Sequence, residues 1–129
     1  HWRTIESAYR SSPFFEFYAD DLHKILFKRH IFLFDLNVEL LTICLKWLKW
    51  NVTIQESMTY EKIPSDYTTI DLRNVIHAKR PELYTHYFQP VSYPQVFGNK
   101  FAEGLSVIDL VFCEGPNSPK VVASSAKPH

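Results

Sequence analysis

The chain has 129 residues, with 14 Lys and Arg balanced by 14 Asp and Glu and only three glycines. That length makes one domain, which buries about two thirds of its unfolded surface on folding. The charge balance leaves no global field to draw nucleic acid or anionic lipid, and so few glycines disfavour a nucleotide-binding fold built on a Gly-rich phosphate loop.

From Trp2, the apolar residues Ile5, Ala8 and Tyr9 recur at a period near 3.6, with Glu6, Ser7 and Arg10 largely on another face, so a helix is predicted there. Ser12-Pro13 opens a second one, because Ser caps orphan amides and Pro is tolerated at the first helical position. It carries Phe14, Tyr18, Leu22, Ile25 and Leu26 on one side. Its acids, Glu16, Asp20 and Asp21, precede Lys24 and Lys28, as the helix macrodipole favours. A third helix, about Asp35 to Trp50, has polar residues at 35, 39, 42, 46 and 49 on an otherwise apolar cylinder. That narrow stripe predicts burial on most of its circumference. No membrane span is predicted, since Phe34 to Trp50 contains Asp35, Asn37, Glu39, Lys46 and Lys49.

After Trp50 the period changes. Asn51 to Glu56 alternates and is β-rich, which predicts a short strand, with Thr68-Thr69-Ile70 a second candidate. Pro64, Pro81, Pro90 and Pro94 break the middle into loops, in which Leu72 to Ala78 forms one or two helical turns and Tyr84 to Gln89 fits a strand or a turn equally. Ser106 followed by Asp109 resembles a capping box opening a helix with Val107, Ile108, Val111 and Phe112 as its apolar members. Gly115-Pro116 stops that helix, Ser118-Pro119 starts a last one that frays, and residues 126–129 form a disordered tail. The expected fold is α+β: a mostly helical single domain over residues 1–125 with a small β component.

Well-specified chemistry is missing from the pattern. The six histidines are scattered at 1, 23, 30, 77, 86 and 129, and neither a His-Glu-x-x-His nor a Cys-x-x-Cys occurs, so no metal site is predicted. Cys44 and Cys113 fall inside apolar runs and read as the small hydrophobes of a reduced, cytoplasmic protein, which makes the Asn51-Val52-Thr53 sequon incidental. The motifs name no cofactor.

Polar residues in excess of what packing needs supply the candidates. Arg3 and Glu6 stand three apart on one helical side, either as a surface ion pair or with Arg3 holding a phosphate or carboxylate, and His1 ends the same region. Arg73, Asn74 and His77 fall within one turn, bringing a cation, an amide and a titrating imidazole together as a base and anion clamp require; the alternative is a loop packed through Leu72, Val75 and Ile76. Asp109 either caps the turn of Ser106 or pairs with a cation. Glu114-Gly115-Pro116-Asn117 presents two polar side chains on a stiff turn, which serves a site or merely ends a helix. Tyr93 and Gln95, around Pro94, read as an exposed extended segment able to hold a sugar ring.

His1-Trp2-Arg3-Thr4-Ile5-Glu6-Ser7-Ala8-Tyr9, Asp71-Leu72-Arg73-Asn74-Val75-Ile76-His77, Tyr93-Pro94-Gln95-Val96-Phe97 and Gly104 through Asn117 together resemble the WbqC-like proteins. These are bacterial proteins found among genes for surface polysaccharides such as O-antigen. The resemblance implies a cytoplasmic enzyme transferring an acyl or aminoacyl group, such as glycine, to a sugar, with a nucleotide-sugar or acyl donor as partner. In that reading His77 or Glu114 is the base, Arg3 or Arg73 holds the donor phosphate, and Glu6, Asn74, Tyr93, Gln95, Asp109 and Asn117 line the substrate site. The alternative is a non-catalytic module that docks on a polysaccharide enzyme through an aromatic patch of Trp47, Trp50, Tyr93 and Phe97. Family members carry a further N-terminal segment, so the chain reads as the C-terminal part of a longer protein, leaving an apolar patch exposed or covered in a homodimer.

Overall fold

The computed structural model describes residues 1–77 and 79–128, and five α-helices organise them. Helix α1 is Trp2–Tyr9, α2 is Phe15–Phe27, α3 is Leu33–Trp47, α4 is Val107–Glu114 and α5 is Ser118–Ser125. A 3-10 turn, Gly115–Asn117, joins α4 to α5, and a second, Pro81–Leu83, lies in the long middle loop.

The stripes read from the sequence explain much of the packing. Phe15, Ala19 and Leu22 recur at helical spacing along α2 and are buried with Trp47, Val111 and Phe112, while Trp2, Ile5 and Tyr9 of α1 and Leu40, Ile43 and Cys44 of α3 pack around them. Helices α2 and α3 run antiparallel: Tyr18 meets Trp47 edge-on at 5.3 Å, and further along Lys28 reaches Glu39 at 2.5 Å. His30 also bonds Glu39, at 2.7 Å, closing the connection between the two helices.

Three sequence expectations are corrected. Ser12 does not cap α2; its hydroxyl donates back to the Tyr9 carbonyl at 2.6 Å, and α2 starts three residues later, after Phe14, whose amide donates to the Phe112 carbonyl at 2.9 Å. Helix α3 is not buried around its circumference, because α2 and α4 cover one side only; Leu33, Phe34 and Leu41 face water. The central helix is α4, where Leu110, Val111, Phe112 and Cys113 are all buried in succession. No sheet exists among the described residues, and the only β pairing there is an isolated antiparallel bridge between Phe88 and Ala126.

The strand expectation fails for physical reasons. Residues 51–56 take no regular structure and find no sheet partner among the described residues, and a lone strand leaves its amides and carbonyls to water. Around Thr68, local chemistry competes: the Thr68 amide and hydroxyl both donate to the Asp66 carboxylate, at 2.9 and 2.7 Å, folding the chain into a turn. Residues 84–88 turn, with the Tyr87 and Phe88 amides both donating to the Tyr84 carbonyl. Ala78, the last residue of the expected Leu72–Ala78 turns, and His129, of the expected tail, lie outside the described residues. The Lys127 amide donates to the Tyr87 carbonyl at 2.9 Å, which ties the end of α5 to the middle loop.

Candidate functional site

Helix α4 carries an acid into the core. Its start is set by Ser106, whose extended backbone and side-chain oxygen, 3.3 Å from the Ile108 amide, make the N-cap. Asp109 supplies no reciprocal cap: its side chain turns inward, is wholly removed from water and accepts from the Tyr93 hydroxyl at 2.5 Å and the Gln95 amide at 3.0 Å, both on Oδ2. Oδ1 has no hydrogen-bond partner among the described residues, and no cation pairs with the carboxylate there. A buried, unpaired carboxylate is costly, and such groups need a reason to be kept.

The loop that precedes α4 is shaped to serve this acid. Gln95 donates to the Ala102 carbonyl and accepts from the Ala102 amide, each at 2.9 Å, so one side chain closes residues 95–102 while its nitrogen also reaches Asp109. Tyr93 is braced edge-on by Phe101 at 5.1 Å. From the opposite side, Tyr9 of α1 packs against Phe97 at 5.4 Å and Phe112 at 5.2 Å. Burial, then Asp109, pushes the pKa of both Tyr9 and Tyr93 above the ordinary 10.0; Tyr93 donates to Oδ2, and the Tyr9 hydroxyl faces the same carboxylate without making a hydrogen bond to Oδ1. Cys113, one turn beyond Asp109, is a free thiol pushed up to about 11 by burial first and the charge of Asp109 second.

The structure therefore joins three sequence candidates, Tyr93, Gln95 and Asp109, though as an interior cluster rather than an exposed sugar platform. Glu114 and Asn117 bond each other at 3.1 Å across the turn at Gly115. Arg3 is exposed, and Glu6 pairs with Arg10, one turn on, rather than with Arg3. Arg73 is held by Asp71 at 2.7 and 2.8 Å and lies over the Tyr60 ring; its hydrogen bonds hold the Asp71 carboxyl down at about 2. Asn74 has a left-handed backbone, φ 64°, and the exposed His77 accepts the Lys79 amide at 3.1 Å. Every hydrogen-bond partner of Arg73 and His77 among the described residues lies between 62 and 80. The aromatic patch is also rearranged, with Trp47 in the core and Trp50 and Phe97 partly exposed.

Tyr9 and Cys113 were not singled out by sequence. Tyr9 sits at a position that the helical period assigns to the core and Cys113 inside an apolar run, and only the placement of Asp109 between them gives their polar atoms significance. Among the described residues no three His, Cys, Asp or Glu side chains are grouped to hold a metal ion, and no helix is long and apolar enough to cross a membrane.

The profile of the WbqC-like protein family matches residues 1–81 and 78–121, which takes in α1 to α4, the long middle loop and the whole Asp109 cluster. The chain belongs to that family. No curated protein and no solved structure matches it. Its membership of the WbqC-like family thus covers both sides of the cluster: the α1 motif that supplies Tyr9 and the stretch that supplies Tyr93, Gln95, Asp109 and Cys113.

Proposed function

We propose that this WbqC-like protein acts in bacterial surface-polysaccharide (O-antigen) synthesis, transferring an acyl or aminoacyl group to a sugar amine, with Asp109 at the centre of its site. The supporting observation is the Asp109 carboxylate itself, fully buried, held on one oxygen by Tyr93 and Gln95 and unmatched on the other. An unmatched carboxylate oxygen suits an ammonium or hydroxyl donor, and buried acids without a cation partner recur at functional sites. In the transfer, the sugar nitrogen attacks the acyl carbon, a C–N bond forms, the bond to the donor's leaving group breaks, and the nitrogen's proton passes to a carboxylate base. Asp109 takes that base role here, displacing His77, whose bonds stay within its own loop.

The test is made in a strain whose gene for this protein is deleted. Mass spectrometry of its surface polysaccharide should show one sugar lacking an acyl or aminoacyl substituent, restored by the native gene and not by Asp109→Asn. An unchanged polysaccharide would defeat the proposal. A second reading, a non-catalytic docking module, draws on the middle loop, where Met58, Ile63, Tyr67 and Ile76 stand in water. It predicts that Asp109→Asn complements fully while Met58→Glu with Ile63→Glu does not.

A further inference from the structure

Away from the Asp109 cluster, the connection between α2 and α3 holds a second concentration of unsatisfied chemistry. Phe27, Ile31, Phe32, Leu33 and Phe34 leave between 54 and 84 % of their surface in water, all within eight residues. The core lies elsewhere along this hairpin, at Phe15, Ala19 and Leu22 of α2 and at Trp47 of α3, so these five residues project beyond it. Ile31 to Phe34 are consecutive and pass from a bend into the first turn of α3. Neighbours on a helical turn step by about 100°, so such side chains splay around a convex tip rather than share one face.

Cations flank the tip. Lys24, Lys28 and Arg29 stand beside it against a single acid, Asp35, and Glu39 one turn further is already engaged by Lys28 and His30. Behind the tip, Lys24, Lys28 and Lys46 line an open groove between α2 and α3 whose floor is Ile25 and Ile43. Among the described residues, Lys24, Arg29 and Lys46 have no carboxylate within ion-pair distance. A protein partner would have to wrap a convex apolar knob, whereas a bilayer surrounds one naturally, and cations beside it meet lipid phosphates. Lys and Arg stems also lie along apolar surface while their heads stay at the phosphate level.

We propose that the α2–α3 tip docks on the surface of an anionic lipid bilayer, with Phe27 and Ile31 to Phe34 entering the headgroup boundary and Lys24, Lys28 and Arg29 at the phosphates. The insertion is interfacial, since no helix among the described residues could cross the membrane. It is independent of the transferase reading, and neither the acid cluster nor its loop takes part.

Co-sedimentation with vesicles of phosphatidylcholine alone, and of phosphatidylcholine with about a third phosphatidylglycerol, reads the proposal directly. The native protein should bind the anionic vesicles and be released as salt rises. Lys24→Gln with Arg29→Gln should weaken that binding about twenty-five-fold, from roughly five-fold per cation removed. Phe32→Glu with Phe34→Glu should weaken it at least as much, and circular dichroism should show both variants folded, as their exposure leads us to expect. The salt titration of the native protein stands whether or not a variant folds. Native protein left in the supernatant with both vesicles would overturn the proposal, as would equal binding to both that survives salt. So would a native dimer that Phe32→Glu dissociates without any vesicle binding, which would make the tip a contact between two copies of the chain.

Discussion

The bond between Tyr93 and Asp109 allows the cluster to be tested by a double-mutant cycle of Tyr93→Phe and Asp109→Asn. In the native protein Tyr93→Phe leaves the buried carboxylate with one of its two donors on Oδ2. Hydrogen bonds to charged acceptors are worth about 1.5–3 kcal/mol, and that is the expected loss. Asp109→Asn keeps the shape: the amide oxygen can still accept from Tyr93 and Gln95, and its nitrogen takes the place of the unmatched Oδ1. Stranding that new donor costs about 1–3 kcal/mol, offset by removing an unpaired buried charge whose desolvation is at least as large, so the net change stays within about 2 kcal/mol. In the Asp109→Asn background the same Tyr93→Phe change removes a neutral bond, worth about 0.5–1.5 kcal/mol. The coupling is therefore about 1–1.5 kcal/mol. Urea unfolding followed by tryptophan fluorescence, to which the core residues Trp2 and Trp47 contribute, measures all four corners at neutral pH. Coupling below about 0.5 kcal/mol, the usual error of additivity, would mean that the phenol and the carboxylate do not bond in solution and that the cluster is misread.

Three further outcomes are expected. The folded-state pKa values of Cys113, about 11, and of Tyr9 and Tyr93, above 10.0, are raised, so their contribution to stability is complete below the unfolded values and is lost as pH rises through the folded ones; the melting temperature should fall from about pH 9 upward, and thiolate absorbance should show Cys113 titrating near 11 before unfolding. Gly115→Ala should destabilise by about 2–6 kcal/mol in chemical denaturation, since φ is 52° and the new Cβ would sit 2.5 Å from the Phe14 ring, and Phe14→Ala should relieve part of that loss. On α3, Trp47→Ala should cost about 3–5 kcal/mol and Leu41→Ala less than about 1, a ranking that equal denaturation midpoints would contradict.

The helices were legible because each carries a stripe. Trp2, Ile5 and Tyr9 announce α1, and Ser106 announces the start of α4, where the structure finds it. Burial was not legible. The sequence of α3 is apolar on most sides, yet periodicity records only what a helix would tolerate inside, and whether neighbours arrive is decided by chain elsewhere. Helix α4 has the reverse history: eight residues say little on their own, but α2, α3 and α5 all pack on it. The strand at 51–56 failed for the same reason, since β-propensity names a surface that a partner must complete. At the site, Tyr93, Gln95 and Asp109 were each recognised as polar residues in excess, but their meeting depends on a loop whose path no local pattern reveals. Arg73 and His77 were recognised on equal grounds, and the structure spends their hydrogen bonds inside their own loop.

How a substrate would reach an acid with no exposed surface follows from the unequal strength of its cover. On the α1 side, Tyr9 is wedged against Phe112, itself fully buried, and the amide of Phe14 is bonded to the Phe112 carbonyl, so that side opens only if α1 and the start of α2 leave the core together. A helix of eight residues such as α4 has no independent stability, and disturbing those contacts would cost the fold itself. On the other side the cover is the loop over residues 93–102, whose Gly98, Asn99 and Lys100 are exposed and whose closure runs through the two bonds between Gln95 and Ala102. Local openings draw on segments with few buried contacts and exposed hydrogen bonds. The tip at residues 98–100 meets that description and α1 does not, although Phe97 of the loop packs on Tyr9 and Tyr93 on Phe101. Were the loop to lift, both donors on Oδ2, Tyr93 and Gln95, would leave Asp109 with it, so in the proposed transfer an incoming amine or hydroxyl would have to take their place.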